Sequence, residues 1–243
     1  KRKSTESGKM RESMTEKMKS KEKCVKGEAD GGQQEAVCRS CIDCGSTNCN
    51  RHQAAYPEFC VSQGLEENII EEASALYHAE EINEKIAYAS ASIESDFYCE
   101  KTRLEETALF AERIGAKKIG IATCVGLIRE SRIVAKYYRQ KGFEVYGTGC
   151  KVGEIDKSFI GLDQVNPCLG RSMCNPILQA KILNREKTDL NVIIGLCVGH
   201  DSLFVKYSEA PATTLVVKDR VLAHNPVGAI YQAEGYYKRK LFS

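Results

Sequence analysis

The chain has 243 residues, 42% hydrophobic and 28% charged, with a formal net charge of +2. That length suits one sizeable α/β domain with a small appendage. The near-neutral balance calls for no nucleic-acid or membrane partner, and no apolar run is long enough to cross a bilayer.

Twelve cysteines make up about 5% of the chain, below the density of a disulfide-stapled secreted scaffold. The sulfur is therefore read as metal or redox chemistry in a cytoplasmic protein, with secretion and disulfides as the minority reading.

Residues 1–36 are rich in Lys, Glu, Ser, Gly and Gln, and almost free of large apolar side chains. Such a segment buries too little surface to offset the entropy of ordering it. It is expected to be a mobile charged leader, with a loosely held helix around residues 10–23 and Cys24 as a bystander.

Residues 37–63 form a cysteine-rich knuckle. Cys38-Arg-Ser-Cys41-Ile-Asp-Cys44-Gly-Ser-Thr-Asn-Cys49 is followed by Cys60 in a polar, turn-rich stretch. Paired C-x-x-C spacing brings two sulfurs on one tight turn to the same ion. Cys41, Cys44, Cys49 and Cys60 make a four-sulfur zinc knuckle. Counted from Cys38, the run is one residue off the bacterial ferredoxin spacing, with a last gap one residue too long and no terminal Pro, and would make the same stretch a second iron–sulfur site. Surface thiols are the bland alternative.

Residues 64–115 are expected to be helical. Ile69, Ile70, Ala73, Leu76, Tyr77, Ile82, Ile86 and Ala89 recur at three- and four-residue intervals up to about residue 95. Thr102 with Glu105 forms a capping box that starts a second helix, which Gly115 ends.

From residue 116 onward the pattern is α/β, with about four strands in a small parallel sheet flanked by helices. Three apolar runs each end on a cysteine. They are Lys118-Ile-Gly-Ile-Ala-Thr-Cys124, Phe143-Glu-Val-Tyr-Gly-Thr-Gly-Cys150 and Leu190-Asn-Val-Ile-Ile-Gly-Leu-Cys197. In a parallel sheet the loops at the carboxyl ends of the strands form the ligand crevice, so three thiols are expected at one edge.

A single buried cysteine is ordinary packing. Three strand ends out of three exceed what chance supplies when cysteine is about one residue in twenty. The loop Asn166-Pro-Cys168-Leu-Gly-Arg-Ser-Met-Cys174 adds two more thiols. Asn175 and Pro176 then suit the cap and first position of a helix. A fourth strand is expected over residues 213–218. No dinucleotide-binding glycine fingerprint follows the first strand.

The runs Gly120-Ile-Ala-Thr-Cys124-Val-Gly126, Cys174-Asn-Pro176, Asp189-Leu-Asn-Val-Ile-Ile-Gly-Leu-Cys-Val-Gly-His-Asp201 and Lys218-Asp-Arg-Val-Leu-Ala-His-Asn-Pro226 resemble a microbial domain-of-unknown-function family. Its members are described as predicted cysteine-rich metal-binding proteins. The resemblance covers roughly residues 41–231. It implies that Cys41, Cys44, Cys49 and Cys60 are the family's leading cluster, and that Cys24 and Cys38 are extras. In placing three cysteines around a cluster at a sheet edge, iron–sulfur-dependent desulfidases also resemble the chain.

The leading expectation is an iron–sulfur cluster of the 4Fe–4S type at the strand tips. It would be bound by Cys124, Cys150 and Cys197, with Cys168 or Cys174 completing the set, and would serve redox or sulfur chemistry as in a reductase or desulfidase. His200, Asp201 and His224 follow the strand ends and are candidates for proton transfer. The bland alternatives are a backbone-bonded cap for His200 and a turn residue for His224. A non-catalytic zinc or soft-metal-handling protein is the alternative function, and a thiol–disulfide switch the third. A small-molecule substrate or electron donor is the expected partner, of a kind the sequence does not name.

Overall fold

The computed structural model describes residues 24–26, 36–53, 55–164, 166 and 168–243. The expected helix at residues 10–23, and most of the charged leader, lie outside them. The chain divides into two compact units, Lys1–Leu76 and Tyr77–Ser243.

In the first unit β1 (Cys24–Lys26) pairs antiparallel with β2 (Ala36–Cys38). Two short 3-10 turns follow, Cys41–Asp43 and Asn48–Arg51, and then α1 (Val61–Gly64). Helix α2 (Glu67–Ala79) buries none of its residues.

The long helical stretch is two helices. After α2 the chain breaks at Glu80, whose backbone is extended, and α3 runs Glu81–Asp96. The apolar stripe explains the break. It slips phase between Leu76 and Ile82, so one straight helix could not keep both halves on one face. Helix α4 (Arg103–Arg113) starts at the expected box: the Glu105 amide donates to Thr102 Oγ1, and the Thr102 amide to Glu105 Oε2. Gly115, at φ +80°, ends it in the left-handed region that glycine takes without strain.

The second unit is built on four parallel strands in the order β4-β3-β5-β6. They are β3 (Lys118–Thr123), β4 (Glu144–Gly149), β5 (Leu190–Ile194) and β6 (Ala212–Val216). Helix α5 (Ile128–Gln140) connects β3 to β4, α6 (Pro176–Arg185) leads from β4 to β5, and α7 (His200–Tyr207) leads to β6. Two short helices, α8 (Val227–Tyr231) and α9 (Lys238–Leu241), close the chain.

Alternation along β3 divides the core. Ile119 and Ile121 pack with Val192 and Ile194 against Ala108 and Ala111 of α4 and Val134, Ala135 and Tyr138 of α5. Ala122 and Ile193 face Ala180 and Leu183 of α6 and Phe204 of α7. Each fully buried Ile or Leu contributes about 1.5–3 kcal/mol, and the sheet is held from both faces.

The chain leaves β3 to one side, for β4, and returns on the other side, for β5. The carboxyl ends of β3 and β5 therefore flank the point where strand order reverses, which is where open α/β sheets bind ligands.

Candidate metal centre

Cys124 directly follows β3, and Cys150 directly follows β4 in the adjacent register position, after the pair Thr123 and Gly149. Two interactions fix these ends. The Cys124 amide donates to the Ile194 carbonyl at 3.1 Å, extending the ladder to β5. The fully buried Gln179 on α6 donates from Nε2 to the carbonyls of Thr123 (3.2 Å) and Thr148 (2.8 Å).

The loop carrying Cys174 is tied to the same place, because the Asn175 amide donates to the Cys150 carbonyl at 2.8 Å. Asn175 also caps α6 through the Leu178 amide, as its position before Pro176 predicts. The result is a line of three sulfurs. Cys150 is in the middle, 3.8 Å from Cys174 Sγ and hydrogen-bonded to the Cys124 thiol.

The line is asymmetric in charge. Cys150 is only 3% exposed, and its two sulfur neighbours and its burial push its thiol pKa up, so it keeps its proton. Hydrogen bonding to Cys150 draws Cys124 down to about 5, helped by the Gly126 amide and by Lys218. Cys174 is drawn down to about 5 by the same partner, then by Lys151 and the charge of His200. Cys150 has one proton to donate, so it favours the thiolate at one neighbour at a time, and the three titrate as a set.

Cations line this edge. Lys151 Nζ donates to Cys174 Sγ at 3.3 Å and to the Ser172 carbonyl at 2.7 Å. A Cβ added at Gly126 would lie 3.6 Å from Lys218 Nζ and 3.8 Å from Cys124 Sγ, so the amine and the sulfur both border this glycine. Arg220 Nη2 donates to Cys197 Sγ at 2.9 Å. The Val125 amide donates to Cys150 Sγ at 3.4 Å.

Cys197 is placed differently from the sequence expectation that it ends a strand. β5 stops at Ile194: the Gly195 amide still donates to the Val216 carbonyl of β6, but the backbone there turns away at φ +65°. A Cβ there would fall on Leu127 Cδ1. Cys197 is therefore set beyond the ladder on a turn, where its carbonyl accepts the amides of His200 and Asp201 at the start of α7. Its thiol partner is Arg220, and the sulfur in contact with Cys150 is instead Cys174.

Cys168 is exposed, its amide donating to Asn166 Oδ1. Asp201 Oδ1 accepts the Ser202 amide. His224 Nδ1 accepts the Asp219 amide at 3.1 Å, and its own amide donates to the Asp219 carbonyl, closing the loop that carries Lys218 and Arg220.

In the first unit, Cys41 and Cys49 are exposed and sit in the two 3-10 turns, and Cys60 precedes α1. A hydrogen bond from the Ser46 hydroxyl lowers the Cys44 thiol pKa. Among the described residues no three His, Cys, Asp or Glu side chains are grouped to hold a metal ion. That holds for the strand-tip thiols as well as for the four knuckle cysteines.

Sequence reasoning passed over Lys151, Lys218 and Arg220. The signal was available: one lysine directly follows Cys150, and Lys218-Asp-Arg220 directly follows the fourth apolar run.

A family model described as "Protein of unknown function (DUF1847)" matches residues 60–215. An uncharacterized protein of Methanocaldococcus jannaschii, MJ0455, is 50% identical over 195 residues, covering 80% of this chain and 96% of that protein. Two crystal structures of Dph2 from Pyrococcus horikoshii, one with a 4Fe–4S cluster, share 19% identity at a TM-score of 0.29. They cover 57% of this chain, which spans only 33% of theirs.

Proposed function

This chain belongs to the DUF1847 family of proteins of unknown function, and we propose that it is an iron–sulfur protein with its centre at the carboxyl edge of the sheet. Cys124, Cys150 and Cys174 would hold the centre, with Cys197 as the fourth sulfur. The observation that carries this reading is the line of three thiols drawn from two strand ends and a loop, beside the reversal of strand order.

The donor set fits. The sulfurs are soft, Cys150 disposes one neighbour at a time to be a thiolate, and backbone amides and cations face them, as they face sulfur ligands of iron–sulfur centres. Each thiolate of a cluster binds a different iron, so Cys150 and Cys174, 3.8 Å apart here, would have to separate to hold one. When bound, such a group supplies one-electron chemistry and, where an iron lacks a protein ligand, a Lewis acid for a sulfur-bearing substrate. The chain's own part is to exclude water from Cys124 and Cys150 and to hold charge at the sulfurs. His200 stands near Cys174, where its charged form would favour the thiolate.

One distance favours a second reading, a single soft ion. Two thiolates on a tetrahedral zinc with Zn–S of about 2.3 Å lie ~3.8 Å apart, the separation of Cys150 and Cys174. Anaerobic purification followed by iron, acid-labile sulfide and zinc analysis, with the visible spectrum, separates the two. Iron and sulfide in comparable amounts with broad visible absorption are expected. Zinc without sulfide, in colourless protein, establishes the second reading and removes the first.

A further inference from the structure

The cations at this edge lack the partners that cations usually have. Among the described residues, none of Lys151, Lys218 and Arg220 forms an ion pair with a carboxylate. Two acids that follow the strand ends of β5 and β6 are turned to the backbone. Asp219 lies between Lys218 and Arg220, but its Oδ1 accepts the amides of Val221 (2.8 Å) and Leu222 (2.9 Å). Asp201 Oδ1 accepts the Ser202 amide at 2.8 Å.

The cations come from both ends of the strand order. Lys151 follows β4, while Lys218 and Arg220 follow β6, with the thiols between. Residues i and i+2 of one loop reach two separate sulfurs, Lys218 to Cys124 and Arg220 to Cys197. That loop is clasped by the paired bonds between His224 and Asp219.

The charges do not cancel once a centre is bound. A core with two positive charges held by the four proposed sulfurs as thiolates would carry about two negative charges, against three fixed cations. The surplus is positive, and the exposed Arg220 presents a planar fork suited to a carboxylate.

We propose that the strand-tip edge binds a small organic carboxylate bearing a thiol or thiocarbonyl sulfur. Lys218 and Arg220 would engage the carboxylate, and the sulfur would be directed at the centre. This rests on the metal-centre reading for the sulfur end, whereas the carboxylate end stands on the cations themselves.

The probe pair is mercaptoacetate and 2-mercaptoethanol, which share the thiol and differ in the carboxylate. Their binding to the anaerobically purified protein is measured by equilibrium dialysis with labelled compound, and by change in the visible spectrum. Mercaptoacetate should bind about tenfold more tightly at low salt, with the preference shrinking as salt rises. Arg220→Gln and Lys218→Gln should each reduce the preference to about threefold or less, and Arg220→Lys should restore part of it. Equal binding of the two probes, or a preference that both Gln variants keep, overturns the proposal. A carboxylate preference in protein lacking iron and sulfide removes the iron–sulfur reading while supporting the anion site.

Discussion

Two groups of cysteines in one chain experience opposite surroundings. Around Cys41, Cys44, Cys49 and Cys60 the chain is turns and short helices with no buried residue among those described, and Cys41 and Cys49 are exposed. Around Cys124, Cys150 and Cys174 two strand ends and a capped helix converge, and the thiols border a core that includes Leu183, Ile193 and Phe204. The closer sequence spacing belongs to the first group, yet the contacting sulfurs belong to the second. Near neighbours on a flexible stretch need an ion to gather them, whereas residues far apart in sequence can be gathered by a sheet that folds for its own reasons.

The sharpest way to break the comparison is to delete one sulfur from each group. Under the proposed centre, Cys150→Ser should abolish iron and sulfide retention, because it removes the member that touches both others. Cys44→Ser should leave that retention intact. Metal analysis of the two anaerobically purified variants decides it, and equal loss from both would mean that the groups serve one shared centre.

The second largest effect concerns packing. Gly195→Ala places a Cβ on Leu127 Cδ1 and holds alanine at φ +65°. Overpacking of about 1–3 kcal/mol and left-handed strain of about 1–2 kcal/mol predict a loss of about 2–4 kcal/mol in urea unfolding. Gly45→Ala meets nothing within 4 Å and has an ordinary φ. Its effect should stay within about 0.5 kcal/mol. A small loss at Gly195 would show that the strand tips are as loosely packed as the first unit.

Much of the second unit was legible because local signals agree with the fold. The box at Thr102, the Asn175–Pro176 start and the apolar runs of β3, β4 and β5 each state their own structure. The placement of Cys197 was not legible, since it depends on a positive φ at Gly195, where Leu127 from a different segment also leaves no room for a Cβ. Nor was the meeting of Cys174 with Cys150. It depends on a hydrogen bond from the Asn175 amide to the Cys150 carbonyl, between residues 25 positions apart. The break at Glu80 could have been read from the slipped stripe. Lys218 and Arg220 acquire meaning only once the parallel order brings the end of β6 beside the sulfurs.

The smallest effect is in thiol reactivity, and it tests whether the strand-tip sulfurs differ from free thiols in kind. In metal-free, reduced protein, Cys174 with a pKa of about 5 is almost wholly thiolate at pH 6, whereas a free thiol of pKa ~8.5 is about 0.3% thiolate. That ~300-fold gain is cut by the lower nucleophilicity of a weakly basic sulfur. At a Brønsted slope of ~0.45 over ~3.5 units the reduction is about 40-fold. Alkylation of Cys174 at pH 6 should thus run about tenfold faster than that of a free thiol, and slow as pH falls through 5. The sign carries over to stability. The lowered values at Cys124 and Cys174 contribute stability that is complete above pH ~8.5 and fades as pH falls toward 5. The raised value at Cys150 works in reverse, contributing below ~8.5 and fading above it. The urea midpoint of the metal-free protein should therefore rise from pH 5 to about 8 and turn over beyond. A flat profile, with Cys174 no faster than a free thiol, would leave the three sulfurs as neighbours without a shared proton.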